Sequence, residues 1–144
     1  RAVAIPEELR PLYDQMFAAL KPREFLSFWQ RGVAFDGVDD NLVEEGNTRP
    51  RLVLLESGEA RVHHGVQEVA HLQGPVLLGE ISALTGHPAT ADVDLVGAGR
   101  GRYWERRTLE ELRNRDAGQW TRIQSVIGCD VVRKLQLSES RADP

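Results

Sequence analysis

The chain has 144 residues, of which 41% are hydrophobic, and this is enough for one domain around a single core. Its formal net charge is −4 at pH 7, so it lacks the general attraction that basic proteins have for phosphate backbones, and we expect no nucleic-acid partner. No run reaches the roughly 18 apolar residues of a membrane-spanning helix.

The single cysteine, Cys129, cannot form an internal disulfide. Its apolar neighbours predict a buried thiol, and the low cysteine content is typical of a reducing compartment, so we expect a cytoplasmic domain. The sequence begins RAVAIPEEL, without methionine, which favours a single domain over residues 1–144 that is part of a longer chain.

Two helices are predicted at the start. Residues 11–20 place apolar side chains on one face at helical spacing, and Pro11 is acceptable in a first turn. A second helix over residues 22–31 would bring Phe25, Phe28 and Trp29 to one face.

From residue 32 onwards, short runs of β-branched and aliphatic residues alternate with Asp-Gly, Glu-Gly, Ser-Gly and His-Gly pairs. This pattern predicts an antiparallel β-roll over residues 32–106. Residues 51–65 are predicted to form a hairpin, with its turn at residues 56–58 and with Leu52, Leu54, Ala60 and Val62 on one face. The runs VAHLQG, VLLGE, ADVDLVGA and RYWER are predicted as further strands.

Helical periodicity returns after Thr108. Thr108 and Glu111 have the spacing of a capping box, which predicts the start of a helix. A longer helix is predicted next, with Asp116 as its N-cap and with an apolar stripe formed by Trp120, Ile123, Ile127, Val131 and Leu135. The predicted fold class is therefore mainly β: an antiparallel, jelly-roll-like β-roll with N-terminal and C-terminal helices.

The loop of residues 79–93, GEISALTGHPATADV, has an unusual combination of groups. An acid, Glu80, follows Gly79, a short helical turn is predicted over residues 82–86, and Thr90 comes after it. Backbone N–H groups at a helix start can bind phosphate, and a carboxylate can accept a hydrogen bond from a ribose hydroxyl. The same residues also fit a simple connection with a capped turn, so the residues alone leave both interpretations open.

The motif order resembles the cyclic-nucleotide-binding domain, a β-roll flanked by helices. The resemblance rests on LVEEG at residues 42–46, LVLLESG at 52–58, EARV at 59–62 and the loop at 79–93, which corresponds to the phosphate-binding cassette of that family. It implies that Glu80 binds the ribose 2′-hydroxyl and that Thr90 binds a phosphate oxygen. The cassette arginine of the family is replaced here by Ala89.

The ligand implied by this resemblance is cAMP rather than cGMP, and no other cofactor is expected. The implied ligand-binding residues are Gly79, Glu80, Ile81, Ser82, Ala83, Ala89, Thr90 and Ala91. In related sensors the last helix covers the base and pairs with the same helix of a second copy. This implies base contacts for Trp120 and Ile123, and it implies a homodimer. His87, beside the expected phosphate, is a weaker candidate.

The flanking segments resemble the Popeye domain, a relative of the cyclic-nucleotide-binding domain. The matching segments are LYDQMF at residues 12–17, RYWER at 102–106 and IGCDVVRKL at 127–135. Popeye proteins of animals carry a different, acid-containing cassette, whereas this chain has the ordinary Gly-Glu form without its arginine. The resemblance implies a cytoplasmic domain of a membrane protein, attached through segments outside this sequence.

Two other classes of protein fit the sequence less well: a cupin-like metalloenzyme and a transcription factor of the catabolite-activator type. A cupin-like metalloenzyme would need clustered histidines, but His63 and His64 would point to opposite faces of a strand, so no metal site is predicted. No Ser-His-Asp or Cys-His order suggests catalytic residues, so we expect no enzyme. Only sixteen residues follow Gly128, too few for a helix-turn-helix.

The expected function is therefore that of a non-enzymatic sensor domain that binds cAMP weakly, or a related nucleotide. The alternative is a scaffold for dimerisation or docking that kept the fold and lost the ligand. The alanine at position 89 is the main support for that alternative.

Overall fold

The computed structural model describes the backbone of residues 3–142 and the side chains of residues 3–137. The chain forms two compact units. One contains the described residues up to Arg31 and from Glu111 onwards and is helical, and the other is Gly32–Glu110, which contains all the described strands. No described helix combines the length and the apolar character needed to cross a membrane.

The helical unit begins with a 3₁₀ turn at Glu7–Leu9, followed by helix α1 (Arg10–Leu12), a π-helical segment at Tyr13–Phe17 and helix α2 (Pro22–Arg31). The first predicted helix is thus confirmed in position but ends at Phe17. The second is confirmed, and its aromatic face is buried as predicted: Phe25, Phe28, Trp29. Phe25 lies at the centre of an aromatic cluster, with ring centroids 5.1 Å from Tyr13, 5.2 Å from Phe17 and 5.7 Å from Trp29.

Two helices follow the sheet: α4 (Arg106–Arg115) and α5 (Ala117–Ala142). Asp116 caps α5 as predicted, because its Oδ1 accepts a hydrogen bond from the Gln119 backbone N–H at 3.0 Å. The predicted capping box is wrong, since Thr108 lies inside α4, which starts directly after the last strand. Within the predicted stripe Ile123 and Ile127 are buried, whereas Leu135 is 58% exposed.

Cys129 is exposed, so its predicted burial is wrong. It lies next to Asp130, a buried carboxylate that Arg133 and Lys134 approach to 2.6 and 3.5 Å. One helix face therefore carries the buried residues at this point, and the apolar neighbours of Cys129 in sequence do not share its direction.

An ion pair joins two helices of this unit. The Arg122 guanidinium donates to both oxygens of Glu24, from Nε at 2.9 Å and from Nη2 at 2.5 Å, and the Lys21 N–H donates to the same carboxylate at 2.9 Å. The Glu24 side chain is 11% exposed and that of Arg122 is 34% exposed. The hydrogen bond from Arg122 lowers the pKa of Glu24 below its ordinary value.

We predict that Arg122→Gln lowers the free energy of unfolding more than neutralising an isolated surface arginine does, because it removes a bidentate charge-assisted contact whose strength is reduced by partial exposure. Urea denaturation followed by far-UV circular dichroism measures the loss. Arg113→Gln, which neutralises an exposed arginine of α4, is the control and should change stability by less than about 0.5 kcal/mol. Equal stability of the two variants would contradict the prediction.

The second unit is an antiparallel six-stranded sheet that does not close into a barrel. Its strands are β1 (Val33–Val38), β2 (Asn41–Val43), β3 (Arg51–His64), β4 (Gln67–Gln73), β5 (Val76–Leu78) and β6 (Asp92–Glu105). The order is β1-β6-β3-β4, with β2 paired to β6 and β5 paired to β3. The predicted all-β region and fold class are thus confirmed.

The hairpin predicted at residues 51–65 is wrong, because β3 runs through this stretch as one strand of 14 residues. The predicted turn is instead an irregularity around Ser57, where the pairing of β3 with β6 shifts register twice. Such a shift changes which side chains face the core, since strand residues alternate in direction. The core cluster on one face accordingly contains Val53 and Leu55 before the shift and Ala60 after it, while Leu52 and Leu54, at 1% and 0% exposure, are buried on the other face of β3. β6 likewise joins two predicted strands into one.

Candidate functional site

The predicted cassette lies between β5 and β6. Helix α3 (Glu80–Thr85) forms its first half, two residues earlier than the predicted turn at 82–86, and an irregular segment of residues 86–91 leads to β6. Gly79, directly before α3, has φ of +69°, a left-handed conformation that favours glycine. A Cβ at this position would lie 2.8 Å from the backbone oxygen of Arg51, so the cassette start is held against β3 at a distance that only glycine allows.

Within α3 the predicted ligand residues have different environments. Glu80, Ser82 and Ala83 are buried, with exposures of 8%, 7% and 2%, whereas Ile81 is 66% exposed. The Ser82 hydroxyl donates to the His87 carbonyl oxygen at 2.5 Å. The hydroxyl hydrogen of Ser82 therefore joins α3 to the irregular segment that follows it. Glu80 contributes the only carboxylate of α3.

The second half of the cassette is fixed at one backbone position. The N–H of Gly46 donates to the carbonyl of Ala89 at 2.9 Å, which ties the irregular segment to the connection between β2 and β3. Ala89 and Ala91 are half-buried, and Thr90 and His87 are exposed. The Thr90 hydroxyl has no hydrogen-bond partner among the side chains and backbone that the structure describes.

The structure brings Gly79, Ser82 and Ala89 together around a cavity of about 170 Å³. The other predicted cassette residues do not line it: Glu80, Ile81, Ala83, Thr90, Ala91. Its remaining walls come from β2, from the connection to β3 and from the first residue of β3. They are Asn41, Leu42, Val43, Glu44, Asn47, Arg49, Pro50 and Arg51.

None of these eight residues was predicted from the sequence to bind a ligand, and the two cations among them are Arg49 and Arg51. The Arg51 guanidinium lies 4.4 Å from the centroid of the Tyr103 ring, in a cation–π contact. The run Arg-Pro-Arg at residues 49–51 was visible in the sequence, but only the backbone contacts of Gly79 and Ala89 reveal that it faces the cassette.

A second polar cluster lies on β3 and β6. His63 Nε2 is 2.5 Å from Asp94 Oδ2 and its Nδ1 is 2.9 Å from the Gly65 carbonyl oxygen, while the Asn41 amide donates to Asp94 at 2.8 Å. Both ring nitrogens of His63 thus face acceptors, and only the doubly protonated ring can donate to both. The hydrogen bond to Gly65, and then the one to Asp94, raise the pKa of His63, and those from Asn41 and His63 lower the pKa of Asp94.

We predict that raising the pH destabilises the protein partly through His63. Because the pKa of His63 is raised on folding, its contribution to stability is complete below the unfolded pKa of about 6.5 and is lost as the pH rises through the folded pKa. The pKa of Asp94 is lowered on folding, so its contribution is present above the unfolded pKa of about 3.9 and does not change in this range. Between about pH 6 and pH 8.5, wild type should therefore lose more unfolding free energy than His63→Gln. Urea denaturation at both pH values measures this. His87→Gln, which removes an exposed histidine, should behave as wild type, and identical pH dependence in His63→Gln would contradict the prediction.

The similarity of this chain to known proteins is found at the level of structure. No protein-family model and no curated protein sequence matches the chain. Among solved structures, a cyclic nucleotide-binding domain from Methylobacillus flagellatus aligns with a TM-score of 0.79 and 16% identity, over 92% of this chain and 83% of that one. This chain has the cyclic-nucleotide-binding fold.

Two further proteins share the cyclic-nucleotide-binding fold with this chain. The regulatory domain of Toxoplasma gondii PKA, solved with cAMP, has a TM-score of 0.64 and 18% identity, over 75% of this chain and 46% of that one. The catabolite activator protein of Thermus thermophilus has a TM-score of 0.67 and 22% identity, over 89% of this chain and 61% of that one. These likenesses show a shared fold.

Two predicted base contacts lie on α5, outside the unit that carries the cassette. Trp120 is half-buried, and Ile123 is 1% exposed. Their contact with a base stays a prediction.

As for the metalloenzyme interpretation, no group of three or more histidine, cysteine, aspartate or glutamate side chains in the described part of the chain is arranged to hold a metal ion.

Proposed function

We propose that this chain is a non-enzymatic regulatory domain that binds a cyclic nucleotide, cAMP more tightly than cGMP, through the cassette of residues 79–93. The observation that carries the proposal is the position of Glu80 within the cyclic-nucleotide-binding fold. The tight contact of Gly79 with Arg51 fixes the start of α3, and Glu80 follows it with only 8% of its surface exposed.

A carboxylate fixed in this way suits recognition of a sugar. It can accept charge-assisted hydrogen bonds from ribose hydroxyls, which are roughly twice as strong as neutral ones. Because the Glu80 side chain is already buried and so restricted, less conformational entropy is lost when it binds a ligand. The presence of cAMP in the Toxoplasma structure supports cAMP as the first ligand to test.

The proposal includes the remaining cassette residues in lesser roles. The exposed Thr90 hydroxyl is proposed to donate to a phosphate oxygen, and Ile81, Ala83 and Ala91 to shape the surface beneath the ligand. Trp120 and Ile123 are proposed to approach the base in the bound state. The missing guanidinium at Ala89 makes weak binding the expected outcome.

Calorimetric titration tests this proposal. Wild type is titrated with cAMP and cGMP beside Glu80→Gln, which keeps the size of the side chain and removes its charge. We expect Glu80→Gln to weaken cAMP binding by about tenfold or more. Glu8→Gln, which neutralises an exposed carboxylate in the helical unit, is the matched control. Binding that is unchanged in Glu80→Gln would contradict the role of this residue, and no binding of either nucleotide to wild type would contradict the proposed function.

A ligand-free scaffold is the second candidate, and Ala89 is the observation that favours it. A domain that no longer binds phosphate has no need for the cassette arginine, while its helices can still mediate dimerisation or docking. The Popeye-like flanking segments support a wider proposal, that this domain is the cytoplasmic part of a membrane protein whose other segments lie outside this sequence.

A homodimer is part of both candidates. On α5, Val132 is 53% exposed and Leu135 is 58% exposed, and they are three residues apart and so lie on one helix face. We predict that the domain dimerises through this face, because exposed apolar stripes tend to find partners and a two-fold pairing buries the same patch twice. Val132→Glu with Leu135→Glu should give a monomer by light scattering. A wild type that remains monomeric at hundreds of micromolar would contradict the prediction.

A further inference from the structure

The connection between β2 and β3, residues 44–50, packs against both ends of the cassette together with the first residue of β3. At one end the Arg51 carbonyl lies against Gly79, and at the other the Gly46 N–H donates to the Ala89 carbonyl at 2.9 Å. These are backbone contacts, so they fix the path of the segment that carries Arg49 and Arg51. Both arginines are thereby held next to the position where the cassette lacks its own.

The cavity between these two segments is smaller than a pocket that encloses a whole nucleotide. Its volume of about 170 Å³ lies below the roughly 300–1,000 Å³ of pockets that enclose whole small-molecule ligands. It can therefore accommodate a phosphate group, while the ribose and base of a nucleotide would lie outside it.

The residues around the cavity have a positive balance of charge. Among those that line it, Arg49 and Arg51 are cationic and Glu44 is the single acid. In the described part of the chain, neither arginine lies within 4.0 Å of a carboxylate oxygen, whereas Arg61 of the same strand approaches Glu68 at 4.0 Å. The two asparagines have structural roles, because Asn41 donates to Asp94 and Asn47 accepts from the Arg49 N–H at 2.8 Å.

Arg51 is the better placed of the two arginines. Its guanidinium carbon lies 4.4 Å from the centroid of the Tyr103 ring, and this contact restricts the side chain. A restricted guanidinium loses less entropy on binding an anion than a free surface arginine does. Arg49 is exposed and can add charge at the entrance.

We propose that Arg51, assisted by Arg49, supplies the positive charge that Ala89 does not, so that this cavity is the subsite for a phosphate group. The inference rests on the proposed function, because it assigns the phosphate to the cyclic nucleotide. The chemistry recognised is an anionic phosphate, carried either by cAMP or by inorganic phosphate.

The test compares three ligands by calorimetry: cAMP, inorganic phosphate and adenosine, which lacks the phosphate. Arg51→Gln is expected to weaken cAMP binding by about tenfold or more, and Arg49→Gln by a smaller factor. Both variants should reduce the salt dependence of cAMP binding and leave adenosine binding unchanged. Arg61→Gln, which removes an exposed arginine of the same strand outside the cavity, is the matched control and should bind cAMP within about twofold of wild type.

Rescue separates a charge effect from a structural one. Ala89→Arg introduced into Arg51→Gln should restore most of the lost affinity, because it returns a guanidinium to the same cavity from the cassette side. Thermal melting of each variant shows whether the loss of the Tyr103 contact unfolds the sheet, and Arg49→Gln, which does not touch that ring, tests the subsite independently.

The outcomes distinguish this inference from the proposed function. If wild type binds cAMP and neither arginine variant weakens it, the subsite is wrong and the proposed function stands. If wild type binds neither cyclic nucleotide, the proposed function fails, and the phosphate titration then decides: binding that Arg51→Gln removes supports an anion subsite, and absence of phosphate binding overturns it as well.

Discussion

Replacing Ala89 with arginine is expected to tighten cAMP binding by about ten- to a hundredfold. A hydrogen bond to a charged group contributes roughly 1.5–3 kcal/mol, and each 1.4 kcal/mol is a factor of ten in affinity. The Ala89 backbone is already fixed by its hydrogen bond to Gly46, and Ala89 is one of the residues that line the cavity proposed to hold the phosphate. The lower end of the range is expected if Arg49 and Arg51 already contact the anion.

Two companion variants make this gain specific. Ala98→Arg adds the same charge at an exposed position of β6 and should leave cAMP binding within about twofold of wild type. Glu80→Gln combined with Ala89→Arg should remove most of the gain, because the ribose and phosphate contacts act on one rigid ligand. Calorimetry on the four proteins at one salt concentration gives the comparison, since the charge contribution weakens with salt.

A failure of Ala89→Arg would be equally informative. If cAMP binding remains undetectable after the guanidinium is added, the cassette is not shaped to hold a nucleotide, and the scaffold candidate replaces the sensor. Light scattering on the same samples then becomes the relevant measurement, because dimerisation through Val132 and Leu135 is the activity that this candidate retains.

The features that the sequence predicted correctly depend on local chemistry. The helix at Pro22–Arg31 follows from aromatic residues at helical spacing, and Asp116 caps α5 because a side-chain acceptor three residues before Gln119 satisfies a free N–H. Gly79 has a local reason of its own, since no side chain fits there, while the role of residues 79–93 in binding a nucleotide stays a prediction.

The features that were missed depend on pairing between distant segments. Ser57 and Gly58 have the composition of a turn, but β6 continues past them and pairs with both halves of β3, which turns the expected hairpin into a bulged long strand. Arg49 and Arg51 looked like ordinary loop arginines for the same reason. Their relation to Ala89 exists only through contacts between residues about forty positions apart in sequence.

Gly79→Ala is expected to destabilise the protein strongly. Two costs combine at this position. A left-handed conformation costs a residue with a Cβ about 1–2 kcal/mol, and forcing a methyl group into occupied space costs typically another 1–3 kcal/mol. The Cβ would lie 2.8 Å from the backbone oxygen of Arg51, which cannot move without disturbing the pairing of β3 with β6. The free energy of unfolding should fall by about 2–5 kcal/mol.

Gly97→Ala is the matched control for this substitution. Gly97 has φ of +71°, nearly the same as the +69° of Gly79, but nothing lies within 4 Å of a Cβ built on it. It should therefore show only the conformational cost of about 1–2 kcal/mol, and the difference between the two variants in urea denaturation measures the close approach of the cassette to β3. Gly79→Ala should also weaken cAMP binding at temperatures where it remains folded, because the displaced α3 carries Glu80 with it, while Gly97→Ala should bind as wild type. Equal destabilisation in both variants, with cAMP binding retained in Gly79→Ala, would mean that the contact with Arg51 does not hold the cassette in place.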